Sequence, residues 1–196
     1  AQVCSGNLNV NAGSAITVSG DPVEKAENDG AIQDGAAISI VNRPGYKGLG
    51  QIIIAGGAFT AKGDNAAIKA YTWDSATKQE SAFDNSAKTV AVSGGTFSSA
   101  VPTDLCAEGC TPIANVDGTY GVASGVAYVA GKGFDTLQAA IDAAQDGETV
   151  TLLADVTENA TVAAGKNIAL DLGGKTLTNT NANPKQATLT IAQGAT

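Results

Sequence analysis

Histidine and methionine are absent from this chain, and tryptophan occurs once. Without histidine the commonest general base is missing, and so is a principal zinc ligand. Basic residues are also few: 11 Lys and Arg against 19 Asp and Glu leave a net charge of −8. Such a surface repels a phosphate backbone and presents no basic patch to an anionic membrane, which argues against nucleic acid and membrane partners. No apolar run approaches the roughly 18 residues of a membrane-spanning helix. Cysteine is scarce and odd in number, Cys4, Cys106 and Cys110. One intrachain disulfide at most can form, joining Cys106 to Cys110 or Cys4 to either, as suits an oxidising, extracellular compartment. Three thiols without histidine make no zinc site, and the CxxxC spacing is not that of a CxxC redox pair. The "GGKT" at 173–176 lacks the upstream glycine and following helix of a phosphate loop, so no cofactor or metal is implied.

What remains is a β vocabulary. Of the 196 residues 24 are Gly, and 43 % are hydrophobic although only 5 % are aromatic. Small and β-branched residues punctuated by Gly suit short strands joined by tight turns. One phrase occurs twice: "IIIAGGAFTA" at 52–61 and "VAVSGGTFSS" at 90–99 align Ile52/Ile54 with Val90/Val92, Gly56-Gly57 with Gly94-Gly95, and Phe59 with Phe97. "ITVSGD" at 16–21 reads as a weaker copy without the Phe. Further alternating pairs are Leu8/Val10, Ile38/Ile40, Val150/Leu152, Ile168/Leu170 and Leu189/Ile191. Hairpin turn pairs are scarce. Strands this short bury their inward residues by stacking coil on coil, so the pattern predicts a parallel β-solenoid, with an antiparallel β-sandwich as the alternative.

A single helix interrupts this pattern. In "GFDTLQAAIDAAQDGETV" Phe134, Leu137, Ala140, Ile141 and Ala144 form an apolar stripe, Asp135 is placed to cap the N-terminus with Gln138 at the capping-box position, and Gly147 to end the helix. A short α-helix near 135–146 is therefore expected to cap a second solenoid. The division that follows is 1–120 for the closing coils of a first solenoid, 121–132 for a junction, and 133–196 for the start of a second. That second run is expected to be incomplete at Thr196, the chain being part of a longer protein.

The phrases "VAVSGGTFSSAV", "CAEGCTPIANVDGTYGV" and "GFDTLQAAIDAAQDGETVTLLADVTENATVAAGKNIALDLGGKTLT" resemble repeat units of large secreted, adhesin-like surface proteins of gut Gram-positive bacteria. The resemblance covers roughly residues 89–194. It implies pectate-lyase-type right-handed parallel β-helices and a secreted or cell-surface location. Gly173 stands where the units are expected to carry Asn.

Catalysis has little support. Asp64, Asp74, Glu80, Asp84, Asp104 and Asp171 show no spacing that singles out the carboxylate pair a glycosidase needs, and no basic residue joins them as a lyase would require. A glycan-active lyase or hydrolase is the third reading, behind a binding segment and an inert spacer. Binding has two candidate places. In "YTWDSATKQESAFDNSAK", 71–88, Tyr71 and Trp73 alternate on one side with Asp74 and Lys78 beside them, as for stacking on a sugar or anchoring a protein. The competing reading has Trp73 packed down under the loop. In "NRPGYKG", 42–48, the Pro44-Gly45 turn presents Arg43, Tyr46 and Lys47, or is a plain exposed turn. The expected function is non-catalytic extracellular binding of a host glycan or a host protein such as mucin or immunoglobulin.

Overall fold

A computed structural model describes residues 1–22, 34–115, 117–180 and 186–196. The chain is mostly β, with 45 % of residues in strands and 6 % in helices, and it divides into two compact units, Ala1–Val122 and Ala123–Thr196. The first carries β1 (Gln2–Val3), β2 (Gly6–Val10), β3 (Ala15–Thr17), β4 (Ile38–Asn42) and β5 (Leu49–Thr60). It continues with β6 (Ile68–Asp74), β7 (Gln79–Ala82), β8 (Val90–Phe97), β9 (Cys110–Ala114) and β10, which runs from Tyr120 to Ser124 across the boundary. The second carries β11 (Ala127–Val129), β12 (Lys132–Phe134), α1 (Leu137–Ala143) and β13 (Thr149–Leu152). After these come β14 (Val156–Thr157), β15 (Ala160–Val162), β16 (Ala169–Asp171), β17 (Leu177–Thr178) and β18 (Leu189–Ile191).

These strands form several small mixed sheets, with no solenoid or closed barrel detected among the described residues, which corrects the expected right-handed parallel β-helix. The antiparallel sandwich is corrected too, because parallel pairs occur in every sheet. One sheet, β1-β4-β6-β7, is parallel until β7 returns antiparallel on β6. Another, β2-β5-β8-β10-β9, with β3 also on β5, turns antiparallel where β10 meets β8. In the second unit β11 is antiparallel to both β12 and β13, whereas β13–β16, β14–β17 and β15–β18 are parallel. The physical reason is unequal spacing. A uniform solenoid needs a near-constant repeat, but the offset from Val150 to Leu170 is shorter than that from Ala160 to Leu189, and both are shorter than that from Ile52 to Val90. The four-residue turn 75–78 adds a hairpin that composition did not announce.

The duplicated phrase does meet itself. Ile52, Ile54 and Phe59 lie opposite Val90, Val92 and Phe97, all fully or almost fully buried. The ladder slips between Ile54 and Ala58, where Gly57 and Gly95 adopt φ of +107° and +114°. That backbone, disfavoured for L side chains, accounts for the second Gly of each pair. The weaker copy is misaligned: Ile16 pairs with Phe59, whereas Leu8 and Val10 pair with Ile52 and Ile54. Likewise Val150 lies opposite Leu170 rather than Ile168, and Leu189 and Ile191 pair with Ala160 and Val162.

The helix spans Leu137–Ala143, shorter than expected, and packs on the core of the second unit through Leu137, Ala140 and Ile141. Its N-cap is Thr136, whose Oγ1 accepts from Ala139 N at 3.1 Å, not Asp135. Glu158 supplies the remaining N-terminal acceptors, taking Leu137 N and Gln138 N at 2.9 Å each. Gln138 makes no capping box. Its amide instead accepts from Thr161 N at 2.8 Å and donates to Thr161 O at 3.0 Å, as a neighbouring strand would. The helix has already ended at Ala143 when Gly147 is reached, with Ala144 as C-cap. Residues 121–132, expected as a junction, contain β11, whose Ala127 and Val129 belong to the buried core of the second unit. No described helix is long and apolar enough to cross a membrane.

Candidate binding site

Strand alternation divides the residues of β4 and β6 between two faces. Ile38, Ile40 and Ile68 go to the main core of the first unit. Ser39 and Val41 point the other way, and by the same alternation so does Arg43, just beyond the strand end. The parallel register sets Ser39 beside Lys69 and Val41 beside Tyr71, and the β6–β7 hairpin sets Trp73 beside Glu80. Val41, Tyr71 and Trp73 make a small apolar cluster of their own, with Cys4 packed against it.

Tyr71 and Trp73 share a face, as their spacing predicts, but they are buried, at 3 % and 6 % exposure. They are packing groups of this face rather than an open stacking surface, because Val41 and Cys4 occupy the same side. Tyr71 donates its hydroxyl to Asp34 Oδ2 at 3.3 Å, and the Lys69 ammonium lies 4.7 Å from its ring centroid while bonding Glu80 at 3.0 Å. Burial, then the charges of Asp34 and Glu80, push the Tyr71 phenol well above its ordinary range. Asp74 is a turn residue: its Oδ1 accepts from Ala76 N at 2.8 Å, which with Thr77 holds the carboxyl below its usual value. Lys78 closes the same turn, with a φ of +57° and its N–H on Asp74 O at 2.8 Å.

Arg43 and Tyr46 are the predicted pair that the fold brings together at the surface. The turn closes through Tyr46 N on Arg43 O at 3.0 Å, with Gly45 at a φ of +94°. Tyr46 is 52 % exposed, yet the Arg43 beneath it is only 6 % exposed. Arg43 Nη1 donates to the Tyr46 hydroxyl at 3.3 Å, and the guanidinium carbon sits 5.4 Å from the Tyr46 ring centroid. Arg43 Nε is buried and has no hydrogen-bond partner among the described residues. The ion pairs among the described residues, Lys62–Asp21 and Lys69–Glu80, do not involve it. Burial raises the nearby Cys4 thiol above its ordinary value, against the opposing pull of Arg43, so the thiol is not an anionic partner at neutral pH.

The expected disulfide is absent: Cys4, Cys106 and Cys110 are all free thiols. Cys4 packs on the Val41 cluster whereas Cys106 and Cys110 belong to the main core, which separates the first from the other two. Burial, then the neighbouring Cys110, pushes the Cys106 thiol up to about 11. Of the carboxylates considered for catalysis, four are engaged locally: Asp74 in its turn, Glu80 on Lys69, Asp84 on Ser86 N at 2.9 Å and Asp171 on Gly173 N at 2.8 Å. Among the described residues no three His, Cys, Asp or Glu side chains converge as metal ligands would. Sequence reasoning missed Asp34, which binds both Tyr71 and Ser39 Oγ, the latter at 2.7 Å. It also missed the depth of Arg43, although continuing the β4 alternation by two residues puts Arg43 on the Val41 side. Compared with family models, curated proteins and solved structures, the chain matches none of them.

Proposed function

We propose that this chain is a non-catalytic extracellular binding segment of a bacterial surface protein, and that it engages a host glycan through the Arg43–Tyr46 turn. The observation that carries the reading is a half-exposed aromatic ring lying over a buried guanidinium with an unused donor. An aromatic face beside directional hydrogen-bond donors is the usual equipment for holding a sugar ring. The surface location and host setting come from the resemblance of the 89–194 phrases. A glycan fits the turn better than a protein does. A stable protein interface covers about 800 Å² per partner around buried anchors. The exposed large apolar side chains described in the first unit are only Tyr46 and Ile53.

The test is retention of the purified chain on immobilised mucin glycans and on a neutral polysaccharide control, with Tyr46→Ala alongside. Retention on mucin that Tyr46→Ala reduces about tenfold or more supports the reading, as expected for loss of an aromatic anchor. Retention on no glycan favours an inert spacer. Retention unchanged by Tyr46→Ala places any binding elsewhere.

A further inference from the structure

We infer that Arg43 is a carboxylate receptor, and that the glycan held at this turn ends in a single carboxylated sugar; this rests on the glycan-binding reading above. A guanidinium withdrawn from water is unfavourable unless it is paired and its N–H groups are satisfied. Arg43 is 6 % exposed, its Nε has no partner among the described residues, and the one hydrogen bond its guanidinium makes to them goes to a neutral hydroxyl, that of Tyr46. Neither described ion pair uses it. The side chain thus keeps a positive charge and an unused donor beneath a surface turn. The matching group is a carboxylate, whose two oxygens accept from the guanidinium in parallel.

Three features narrow the ligand. Tyr46 is the cover over the charge, and it is half-exposed on a turn whose Gly45 and Gly48 both have positive φ, +94° and +92°. Rotation of its side chain uncovers the guanidinium and leaves the ring beside the incoming sugar. Lys47, the next residue, is exposed and adds one further cation at the rim. The chain as a whole carries a net charge of −8, which disfavours a polyanion and leaves room for one acid group. A terminal acidic sugar meets all three conditions, whereas a sulfated polymer does not.

The experiment is an array of oligosaccharides ending in sialic or glucuronic acid, their methyl esters, their neutral parents and sulfated analogues. It is probed with the wild-type chain, Arg43→Met, Arg43→Lys and Tyr46→Phe, each checked for folding by circular dichroism. The expected result is binding to at least one acid-terminated sugar about tenfold or more tighter than to its methyl ester, as for loss of a charge-assisted pair. Arg43→Met abolishes that preference while remaining folded, Arg43→Lys retains part of it, and Tyr46→Phe retains most of it. Equal binding of acid, ester and parent overturns the carboxylate assignment and leaves the glycan reading standing. Preference for sulfated sugars overturns it in the same way. Binding to nothing on the array overturns both. If Arg43→Met and Arg43→Lys are both unfolded, the guanidinium is a structural necessity and the inference is wrong.

Discussion

Phe59 and Phe97 stack with ring centroids 4.9 Å apart and planes 17° from parallel, each supplied by one copy of the duplicated phrase. The two rings are 1 % and 0 % exposed, so the repeat is recorded in the fold as a buried pair in the main core of the first unit. Truncating either leaves a cavity faced by the other. Phe97→Ala is expected to cost about 3–5 kcal/mol and Phe97→Leu distinctly less, the usual range for buried Phe truncation. Denaturant unfolding followed by tyrosine and tryptophan fluorescence checks this. Equal, small losses for the two variants mean that the stack is dispensable.

Lys166 secures the far end of α1. Its ammonium donates to Ile141 O at 2.9 Å and to Asp142 O and Ala144 O at 2.8 Å, carbonyls that the helix cannot satisfy internally. With Glu158 on the N-terminal amides, both ends of a seven-residue helix are held by side chains from the connections between the strands that follow it, Glu158 between β14 and β15 and Lys166 between β15 and β16. A helix this short is not stable alone. Lys166→Met is expected to cost about 1–2 kcal/mol, as for loss of charge-assisted bonds to part-buried carbonyls. Hydrogen exchange should localise the loss to Gln138–Ala144 amides. Protection that is unchanged there would show the ammonium to be ornamental.

Stability is expected to fall in alkali. The folded state raises the Tyr71 phenol above its ordinary 10.0 and the Cys106 thiol from 9.0 to about 11. For an acid whose folded pKa is raised, the unfolded chain loses its proton first. The contribution is therefore complete below the unfolded value and is lost as pH rises through the folded one. A decline beginning above pH 9.0 for Cys106 and above 10.0 for Tyr71 is predicted in urea midpoints measured from pH 7 to 11. Cys106→Ala should reduce the earlier part, to which the raised Cys4 and Cys110 thiols also contribute, and Tyr71→Phe should reduce the later part. A wild-type profile that is flat over this range contradicts the assignment.

How far the sequence could be read follows from what each signal depends on. The pairing of Phe59 with Phe97 was legible because phrases of the same pattern bury the same face, so register follows from alternation. The architecture was not. Short strands and a repeat predict parallel stacking but say nothing about where the chain doubles back. The β6–β7 hairpin is made by Asp74 and Lys78, two polar residues that read equally well as binding groups. The helix was found by its apolar stripe. Its ends were not: the N-cap is Thr136 rather than its neighbour Asp135, and Glu158 and Lys166 reach the helix from more than twenty residues away. At the candidate site, Tyr71 and Trp73 were correctly given one face, but alternation cannot tell an outer face that is open from one covered by Val41 and Cys4. Arg43 and Tyr46 were legible as a turn, and the burial that gives Arg43 its interest became visible only in three dimensions.

The most direct test of the account is the unfolding free energy of Arg43→Met against wild type, measured by denaturant at neutral pH. A guanidinium retained for a ligand, with Nε unpaired, is a burden on the unliganded fold. Its replacement by an apolar chain of similar length should raise stability by about 1 kcal/mol or more, as when other buried charges are exchanged for packed hydrophobic groups. A loss of stability of that size would mean that Arg43 holds the turn together, and the case for a charge kept in waiting for an acidic sugar would fail.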